Sequence, residues 1–232
     1  TRKGSNSWVL DNAQDTTDFS GHSIFAFDYT EFLDDPAVRT PVIAYLLHRT
    51  ESLIDGTPFI FYMTEFWKPL QDDFFTAFAR DKLKTIRKQS GIGLFDTQSP
   101  SDVLINGTTG EPHPVGRTVV EQCTTKVFLP NPSADHGDYV GGFKLSEAEY
   151  EIVRALDESS RMALIKQGQR SAVVRFDLTG MTSFLDVMSG SQDNVELLDE
   201  IRAEVGDAPD AWLPVLHQRI AARRARSVRG VK

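Results

Sequence analysis

A short apolar run, residues 58–63, ends abruptly at the polar residues Thr64 and Glu65. Six apolar residues are too few for a helix of useful length and are typical of a strand buried on both faces of a parallel sheet. Glu65 would then lie at the carboxyl end of that strand, where the ligand crevice of an open α/β sheet is found. Taken alone, the run is better explained as an ordinary core strand followed by a solvated glutamate, because short apolar runs are ambiguous.

The length, charge and cysteine content of the chain limit the classes of protein to which it can belong. With 232 residues, 40% of them hydrophobic, the chain can bury one large domain or one domain with an appendage. The net charge of -8 argues against a surface that coats nucleic acid. Cys123 is the sole cysteine, which excludes an internal disulfide and suits a reducing compartment.

No apolar run is long enough to cross a bilayer and no signal peptide opens the chain, so we expect membrane association only through partners. The first residue is Thr1 rather than Met, which indicates a fragment or a processed form.

The first half of the chain alternates between strand and helix patterns. A crossover connection places the ends of successive parallel strands at one edge of a sheet. We therefore expect Glu65 and Gln98, which each follow a strand, to lie at the same edge. The predicted strands are residues 7–11, 23–28, 58–63 and 92–95, and the predicted helices are residues 36–54 and 70–89.

The second half is predicted to contain shorter elements. Glycine and proline make residues 106–117 a loop, and Ser146 with Glu149 forms a capping box that begins a helix. The remaining predictions are a helix at 117–122, a strand at 126–129, a hairpin from 162–165 to 172–176 around residues 167–169, and terminal helices at 194–205 and 210–225.

Two neighbouring strands that end in Glu65 and Gln98 have the layout of a nucleoside triphosphatase. Glu65 would orient and activate the attacking water, Gln98 would contact the γ-phosphate, and a basic residue of a neighbouring subunit would stabilise the transition state. This chemistry also needs a phosphate loop, G-x-x-x-x-G-K-[S/T], which the sequence lacks.

The five histidines show no metal-ligand spacing, so we expect no protein metal centre. Cys123 is expected to be a small buried side chain, and the basic terminus a solvated tail.

Several ordered motifs together resemble the type IV secretion and conjugative-transfer ATPases of the CagE/TrbE/VirB family, in the C-terminal part of the ATPase domain. The resemblance spans nearly the whole chain. The matching segments are residues 8–12 (WVLDN), 27–33 (FDYTEFL), 64–68 (TEFWK), 82–88 (KLKTIRK), 97–100 (TQSP), 121–123 (EQC), 128–132 (FLPNP) and 211–215 (AWLPV).

This resemblance implies an α/β fold with a RecA-like core, a mainly parallel sheet and a C-terminal hairpin and helices. Residues 1–178 would be the C-terminal part of that core, and residues 179–232 a helical appendage. The implied activity is hydrolysis of ATP with Mg²⁺, which energises type IV secretion, conjugative transfer or pilus assembly. The implied assembly is an oligomer, often a hexamer, which acts with other secretion components at the cytoplasmic face of the bacterial inner membrane. Nucleic acid is a possible partner that the charge does not indicate.

The resemblance also implies roles for individual residues. Glu65 matches the catalytic glutamate, and Thr97 and Gln98 match the polar motif near the γ-phosphate. Arg87 and Lys88 match a basic motif at the nucleotide or subunit interface, with Arg87 as a catalytic candidate and Lys88 as a binding candidate.

Two departures from the family pattern leave two functions open. Thr64, a candidate binding residue, stands where the family usually has an aspartate that helps to hold hydrated magnesium, and the phosphate loop would lie upstream of Thr1. We expect Thr64→Asp to tighten magnesium-dependent binding unless another acid, Asp28 or Asp96, supplies the charge. The chain is then either part of a motor ATPase, inactive as isolated residues 1–232, or a non-hydrolysing assembly module of the secretion machine. The retained Glu65 and Gln98 favour the motor.

Overall fold

The computed structural model describes residues 4, 7–11, 13–70, 73–106, 109–188 and 190–229. The chain divides into two compact units, which meet in sequence between Arg175 and Phe176. Among the described residues, no helix has the length and apolar character that crossing a membrane requires.

A parallel pair of strands forms the centre of the first unit. Strand β1 (Phe59–Met63) pairs with β2 (Gly91–Phe95), from Phe59 opposite Gly91 to Met63 opposite Phe95. Both strands and their parallel pairing were predicted. The connection between them holds α3 (Trp67–Leu70), α4 (Asp73–Thr85) and a 3-10 helix (Ile86–Gln89), which together correspond to the predicted helix 70–89 apart from residues 71–72, which lie outside the described part.

Helix α2 (Pro36–Glu51) confirms the predicted helix at 36–54. Its beginning is specified locally: the Asp35 side chain accepts a hydrogen bond from the backbone N–H of Ala37 at 2.9 Å, and Pro36 occupies the first helical turn. Helices α2, α3 and α4 and the parallel pair share one hydrophobic core, whose buried members include Ile43, Leu47, Met63, Phe66, Leu70, Phe75, Val103 and Val119.

The second sheet is antiparallel, so the prediction of one mainly parallel sheet is wrong. Strand β3 (Thr125–Phe128) pairs with β4 (Met162–Gln167), which pairs with β5 (Arg170–Arg175) in the predicted hairpin. Gly168 turns this hairpin with a φ of 60°, a conformation that glycine adopts without a Cβ clash. The protein is therefore an α/β protein with one parallel and one antiparallel sheet.

Helix α7 (Glu147–Ala155) begins at the predicted capping box and packs against the second sheet. The Ser146 hydroxyl accepts a hydrogen bond from the Glu149 backbone N–H, and the Glu149 carboxylate accepts one from the Ser146 backbone N–H. A second hydrophobic core surrounds Val153 and Leu164, and includes Phe128, Tyr139, Leu145 and Tyr150.

The two predicted N-terminal strands do not form. Residues 7–10 form the short helix α1 (Ser7–Leu10), and residues 23–28 have no regular secondary structure. The alternating pattern of residues 24–27 is real, since Phe25 and Phe27 contact Phe19 while Ile24 is exposed. In the described part of the chain, however, no strand pairs with this segment, and an extended segment becomes a strand only through such a ladder.

The parallel strands are covered on one face only, which corrects the prediction that β1 is buried on both. Ile60, Tyr62 and Ile92 are 68%, 61% and 58% exposed, and Leu94 is exposed beside them. The opposite face packs into the core through Phe61, Met63 and Phe95. Each strand therefore alternates between a covered and an open side.

The predicted loop at 106–117 contains the start of a helix. Helix α6 (Pro114–Gln122) begins three residues before the predicted position, and α5 (Pro100–Leu104) was not predicted. The buried His113 explains the early start: its Nδ1 accepts a hydrogen bond from the Gly116 backbone N–H, and its Nε2 donates to the Leu70 carbonyl. Residues 107–108 of this loop lie outside the described part.

The C-terminal unit is helical. Helices α9 (Gln192–Val205) and α10 (Pro209–Arg229) confirm the two predicted terminal helices and enclose a core of Leu197, Ile201, Leu216 and Ile220. Helix α8 (Thr182–Met188) was not predicted, and its buried Asp186 pairs with Arg224 at 2.6 Å.

Candidate active site

Glu65 and Gln98 lie together at the carboxyl edge of the parallel pair. Gln98 Nε2 donates a hydrogen bond to Glu65 Oε1 at 2.5 Å, and Trp67 Nε1 donates to Glu65 Oε2 at 2.5 Å. The predicted proximity of Glu65 and Gln98 is confirmed, while their chemical roles stay predictions. Two donors hold the carboxylate, and a carboxylate has about four acceptor positions, so it can still accept a hydrogen bond from a water molecule.

The backbone at Glu65 has a left-handed conformation, with a φ of 49°. This conformation is uncommon for a residue other than glycine and is held only where the surroundings specify it. Here the Glu65 backbone N–H donates to Asp96 Oδ1 at 3.0 Å, and the Glu65 carbonyl accepts from the Lys68 backbone N–H at 3.2 Å. The turn between β1 and α3 is therefore fixed from the end of the neighbouring strand.

Asp96 organises this edge of the sheet. It follows β2 directly, and its carboxylate accepts hydrogen bonds from the Thr64 hydroxyl at 3.1 Å, from the Glu65 backbone N–H, and from the Tyr62 hydroxyl. Tyr29 reaches the same place from the N-terminal segment, and its hydroxyl donates to the Thr64 carbonyl at 2.5 Å.

Burial and neighbouring carboxylates raise the pKa values of two groups at this edge. Burial, and then the charges of Asp96 and Glu65, raise the pKa of Tyr29 to about 12. Burial, and then the charge of Glu65, raise the pKa of Asp102 on α5 above its usual value. Burial is the larger cause of both shifts, and the neighbouring carboxylates add to it.

The other predicted site residues divide between two places. Thr97 is at the carboxyl edge, where its hydroxyl donates to the Ser99 carbonyl at 2.9 Å and helps to shape the turn into α5. Arg87 and Lys88 are exposed on the 3-10 helix that precedes β2, at the opposite edge. Five residues of β2 span about 13 Å, so the structure does not bring these cations to Glu65.

Acidic side chains contribute much of the charge described at the carboxyl edge. Glu65 contacts Asp96 through its backbone N–H and acts electrostatically on Asp102, while Lys68 is paired with Asp34 at 2.9 Å. Among the described residues, no group of three or more His, Cys, Asp or Glu side chains could enclose a metal ion. The donor set nevertheless fits Mg²⁺, because this ion is commonly held by one or two carboxylates together with water and substrate phosphates.

Sequence reasoning missed three of these contributors. Tyr29 and Trp67 lie within the segments quoted above for the family resemblance, but nothing in their spacing indicates a contact with residues 64 and 65. Asp102 could have been suspected, because it lies four residues after Gln98 in a segment that begins with Ser99 and Pro100, a helix-start signal.

Known proteins share this fold. The structure resembles that of VirB4 of Thermoanaerobacter pseudethanolicus with a TM-score of 0.54 and 20% sequence identity, over 67% of this chain and 41% of that one. No protein-family model matches the chain. Type IV secretion proteins align with almost the entire length of the chain, and this similarity defines its class.

The sequence similarity to these proteins is high. The VirB4 protein of Brucella suis is 48% identical over 226 residues, 97% of this chain, and that of Bartonella henselae is 47% identical over 213 residues, 91% of it. The PtlC protein of Bordetella pertussis is 40% identical over 212 residues. The chain belongs to the VirB4 family of type IV secretion proteins. It spans about a quarter of the length of these relatives, 26%, 26% and 25% respectively.

Proposed function

We propose that the chain forms part of an ATP-hydrolysing motor that energises type IV secretion or conjugative transfer. The observation that supports this most is the contact between Glu65 and Gln98 at the carboxyl edge of β1 and β2. Such an edge is where ligands bind in α/β sheets, and these two residue types are those that hydrolysis of a phosphoanhydride needs. The first unit would be part of a RecA-like core, and the C-terminal helices an appendage.

Each side chain would have a distinct part in hydrolysis. The remaining acceptor positions of Glu65 hold the attacking water, whose oxygen bonds to the γ-phosphorus as the bond to the bridging oxygen of ADP breaks. An amide nitrogen carries two hydrogens, so Gln98 can contact Glu65 with one and donate the other to a γ-phosphate oxygen. Thr64 and Thr97 supply hydroxyls at the same edge. Trp67 holds the carboxylate of Glu65, and the end of β1 holds the carboxylate of Asp96. Both contacts limit reorganisation during the reaction.

The negative charge of the edge indicates what else the site requires. Phosphates would be repelled by Glu65, Asp96 and Asp102, so cations must come from beyond these residues. Bound Mg²⁺ would neutralise phosphate charge, and a phosphate loop in a longer protein would cradle the phosphates. That longer protein, in which a phosphate loop precedes Thr1, is called the extended protein below.

Arg87 and Lys88 would act on another subunit. They lie at the amino edge of their own sheet, too far to contact a nucleotide at Glu65. In a ring, one subunit's amino edge can face its neighbour's carboxyl edge, so Arg87 would stabilise the transition state of the neighbouring site, with Lys88 beside it. This arrangement requires an oligomer, for which we propose a hexamer that acts with other secretion components at the cytoplasmic face of the inner membrane.

A second candidate is a non-hydrolysing assembly module of the secretion machine. It is favoured by Thr64, a neutral residue at the end of β1 where a carboxylate would hold a hydrated cation more strongly. In this case the fold would serve as an interface, and the edge residues would only maintain its shape.

Phosphate release by the extended protein distinguishes the two candidates. We expect hydrolysis by the wild type and none by isolated residues 1–232. In the extended protein, Glu65→Gln should lower kcat by about 100-fold or more while nucleotide binding changes by less than about 3-fold, because the residue acts in the transition state. Trp67→Phe is a control that keeps the carboxylate and removes one of its donors. Binding without turnover by the oligomeric wild type would exclude the motor.

A further inference from the structure

Asp96 is the most firmly held carboxylate at the candidate site. Its three donors all come from the end of β1: the hydroxyls of Tyr62 and Thr64, and the backbone N–H of Glu65. Its own backbone N–H donates to the Met63 carbonyl at 3.4 Å, which extends the parallel ladder by one residue. The position of this carboxylate is therefore set by the strand pair and not by a flexible loop.

The hydrogen bond between Thr64 and Asp96 places a hydroxyl and a carboxylate side by side at the ends of the two strands. The Thr64 hydroxyl is a neutral oxygen, and Asp96 Oδ1, 3.1 Å away, belongs to a carboxylate, which shares one negative charge between its two oxygens. The carboxylate of Asp28, the other acid considered for this role, accepts a hydrogen bond from the backbone N–H of Thr30, two residues along the chain. The carboxylate that position 64 lacks is thus present on Asp96, at the end of β2.

We propose that Asp96 supplies, from β2, the carboxylate that engages the hydrated magnesium ion accompanying the nucleotide. This inference rests on the proposed function. A hard divalent cation prefers charged oxygen, and three hydrogen bonds leave about one acceptor position of Asp96 for a metal-bound water. Asp96 also fixes the backbone of Glu65, so the same side chain would place the cation and the water-activating carboxylate relative to each other.

A magnesium titration of nucleotide binding tests this. The probe is a fluorescent ATP analogue bound to the extended protein, measured from excess EDTA to saturating Mg²⁺. Asp96→Asn keeps an oxygen acceptor for the Glu65 backbone N–H and removes the charge. We expect it to raise the half-saturating magnesium concentration by about 10-fold or more, as outer-sphere substitutions do. In EDTA it should bind the analogue as tightly as the wild type or more tightly, because one negative charge near the phosphates is gone.

Exchanging the charge between the strands provides the matched rescue. The double variant Thr64→Asp/Asp96→Asn returns one carboxylate to the pair and should restore the magnesium midpoint to within about 3-fold of the wild type. Thr64→Asp alone should tighten magnesium binding little, since Asp96 already supplies the charge. Tyr62→Phe, which removes a donor and keeps the charge, should leave the midpoint within about 3-fold.

Each other result overturns the proposal. An unchanged midpoint in Asp96→Asn means that Asp96 does not engage the ion. An equal loss of binding with and without magnesium means that Asp96 only supports the fold. If the wild-type extended protein binds no nucleotide, the proposed function fails together with the role of Asp96. The first two results overturn the role of Asp96 alone, so the two kinds of failure can be distinguished.

Discussion

Tyr29 connects the N-terminal segment to the candidate site through one hydrogen bond, to the Thr64 carbonyl. Burial and neighbouring carboxylates raise its pKa from 10.0 to about 12. A raised pKa favours the neutral phenol in the folded protein, so this stabilisation is complete below pH 10 and is lost as the pH rises toward 12. We expect Tyr29→Phe to lower the free energy of unfolding by about 1 kcal/mol at pH 7, and by less at alkaline pH.

An absorbance titration of phenolate formation checks the Tyr29 prediction. The wild-type titration minus that of Tyr29→Phe gives the titration of this single side chain. A midpoint well above 10 is expected. A midpoint near 10 would contradict the half-buried environment beside Asp96 and Glu65, whatever the unfolding measurements show.

Glu65 shows what a single residue's sequence context can predict. An apolar run that ends in an acid correctly placed Glu65 at the end of a strand, and the crossover rule correctly brought it to the edge that holds Gln98. The left-handed backbone at Glu65 was not predictable, because it depends on a hydrogen bond to Asp96, 31 residues away.

Helix α7 depends on Glu149 in two ways. The carboxylate completes the capping box with Ser146 and pairs with Lys166 of β4 at 2.7 Å. Burial by itself would raise the pKa of Glu149, but the Lys166 ammonium and the Ser146 N–H outweigh it and lower the pKa from 4.5 to about 2. A lowered pKa stabilises the fold above pH 4.5, and this contribution is lost as the pH falls toward 2.

We expect Glu149→Gln to lower the free energy of unfolding by about 2 kcal/mol at pH 7, because it leaves the Lys166 ammonium without its carboxylate. The difference from the wild type should shrink as the pH falls below 4.5, which urea unfolding at a series of pH values would show. Glu151→Gln is the control on the same helix, since its pair with Arg154 is exposed at 3.7 Å and contributes about 0.5 kcal/mol or less. Equal losses in both variants would refute the role given to Glu149.

Local signals predicted those elements whose stabilising contacts are local. The Asp35-Pro36 start of α2 and the Ser146 capping box of α7 were correctly identified because both caps lie within three residues of the helix. The segments at 7–11 and 23–28 were predicted as strands on their residue pattern, but a strand also needs a partner, which pattern alone does not reveal. The start of α6 was missed because it depends on the buried imidazole of His113, which also contacts Leu70, 43 residues away.

One face of the parallel strands β1 and β2 is exposed to solvent. Parallel strands are normally covered on both faces, yet Ile60, Tyr62, Ile92 and Leu94 are exposed in this chain, which spans about a quarter of its relatives. We expect further elements to cover this face in the extended protein.

Substitutions on this face test that expectation. Ile60→Thr/Ile92→Thr should change the stability of isolated residues 1–232 by about 0.5 kcal/mol or less, because both side chains are exposed there. In the extended protein the same variant should cost about 2 kcal/mol or more, since two buried apolar side chains are replaced. Ile24→Thr, at a residue that is 88% exposed outside the strands, is the control and should have a small effect in both. Urea unfolding of the two proteins gives the comparison, and equal small effects in both would show that the face stays open.

A structure of the extended protein with Mg²⁺ and a non-hydrolysable ATP analogue tests the proposed function most directly. We predict that the γ-phosphate lies at the carboxyl edge of β1 and β2, within hydrogen-bond distance of Gln98 and one water molecule away from Glu65. A nucleotide bound away from this edge, or a γ-phosphate that contacts neither residue directly or through one water, would contradict it.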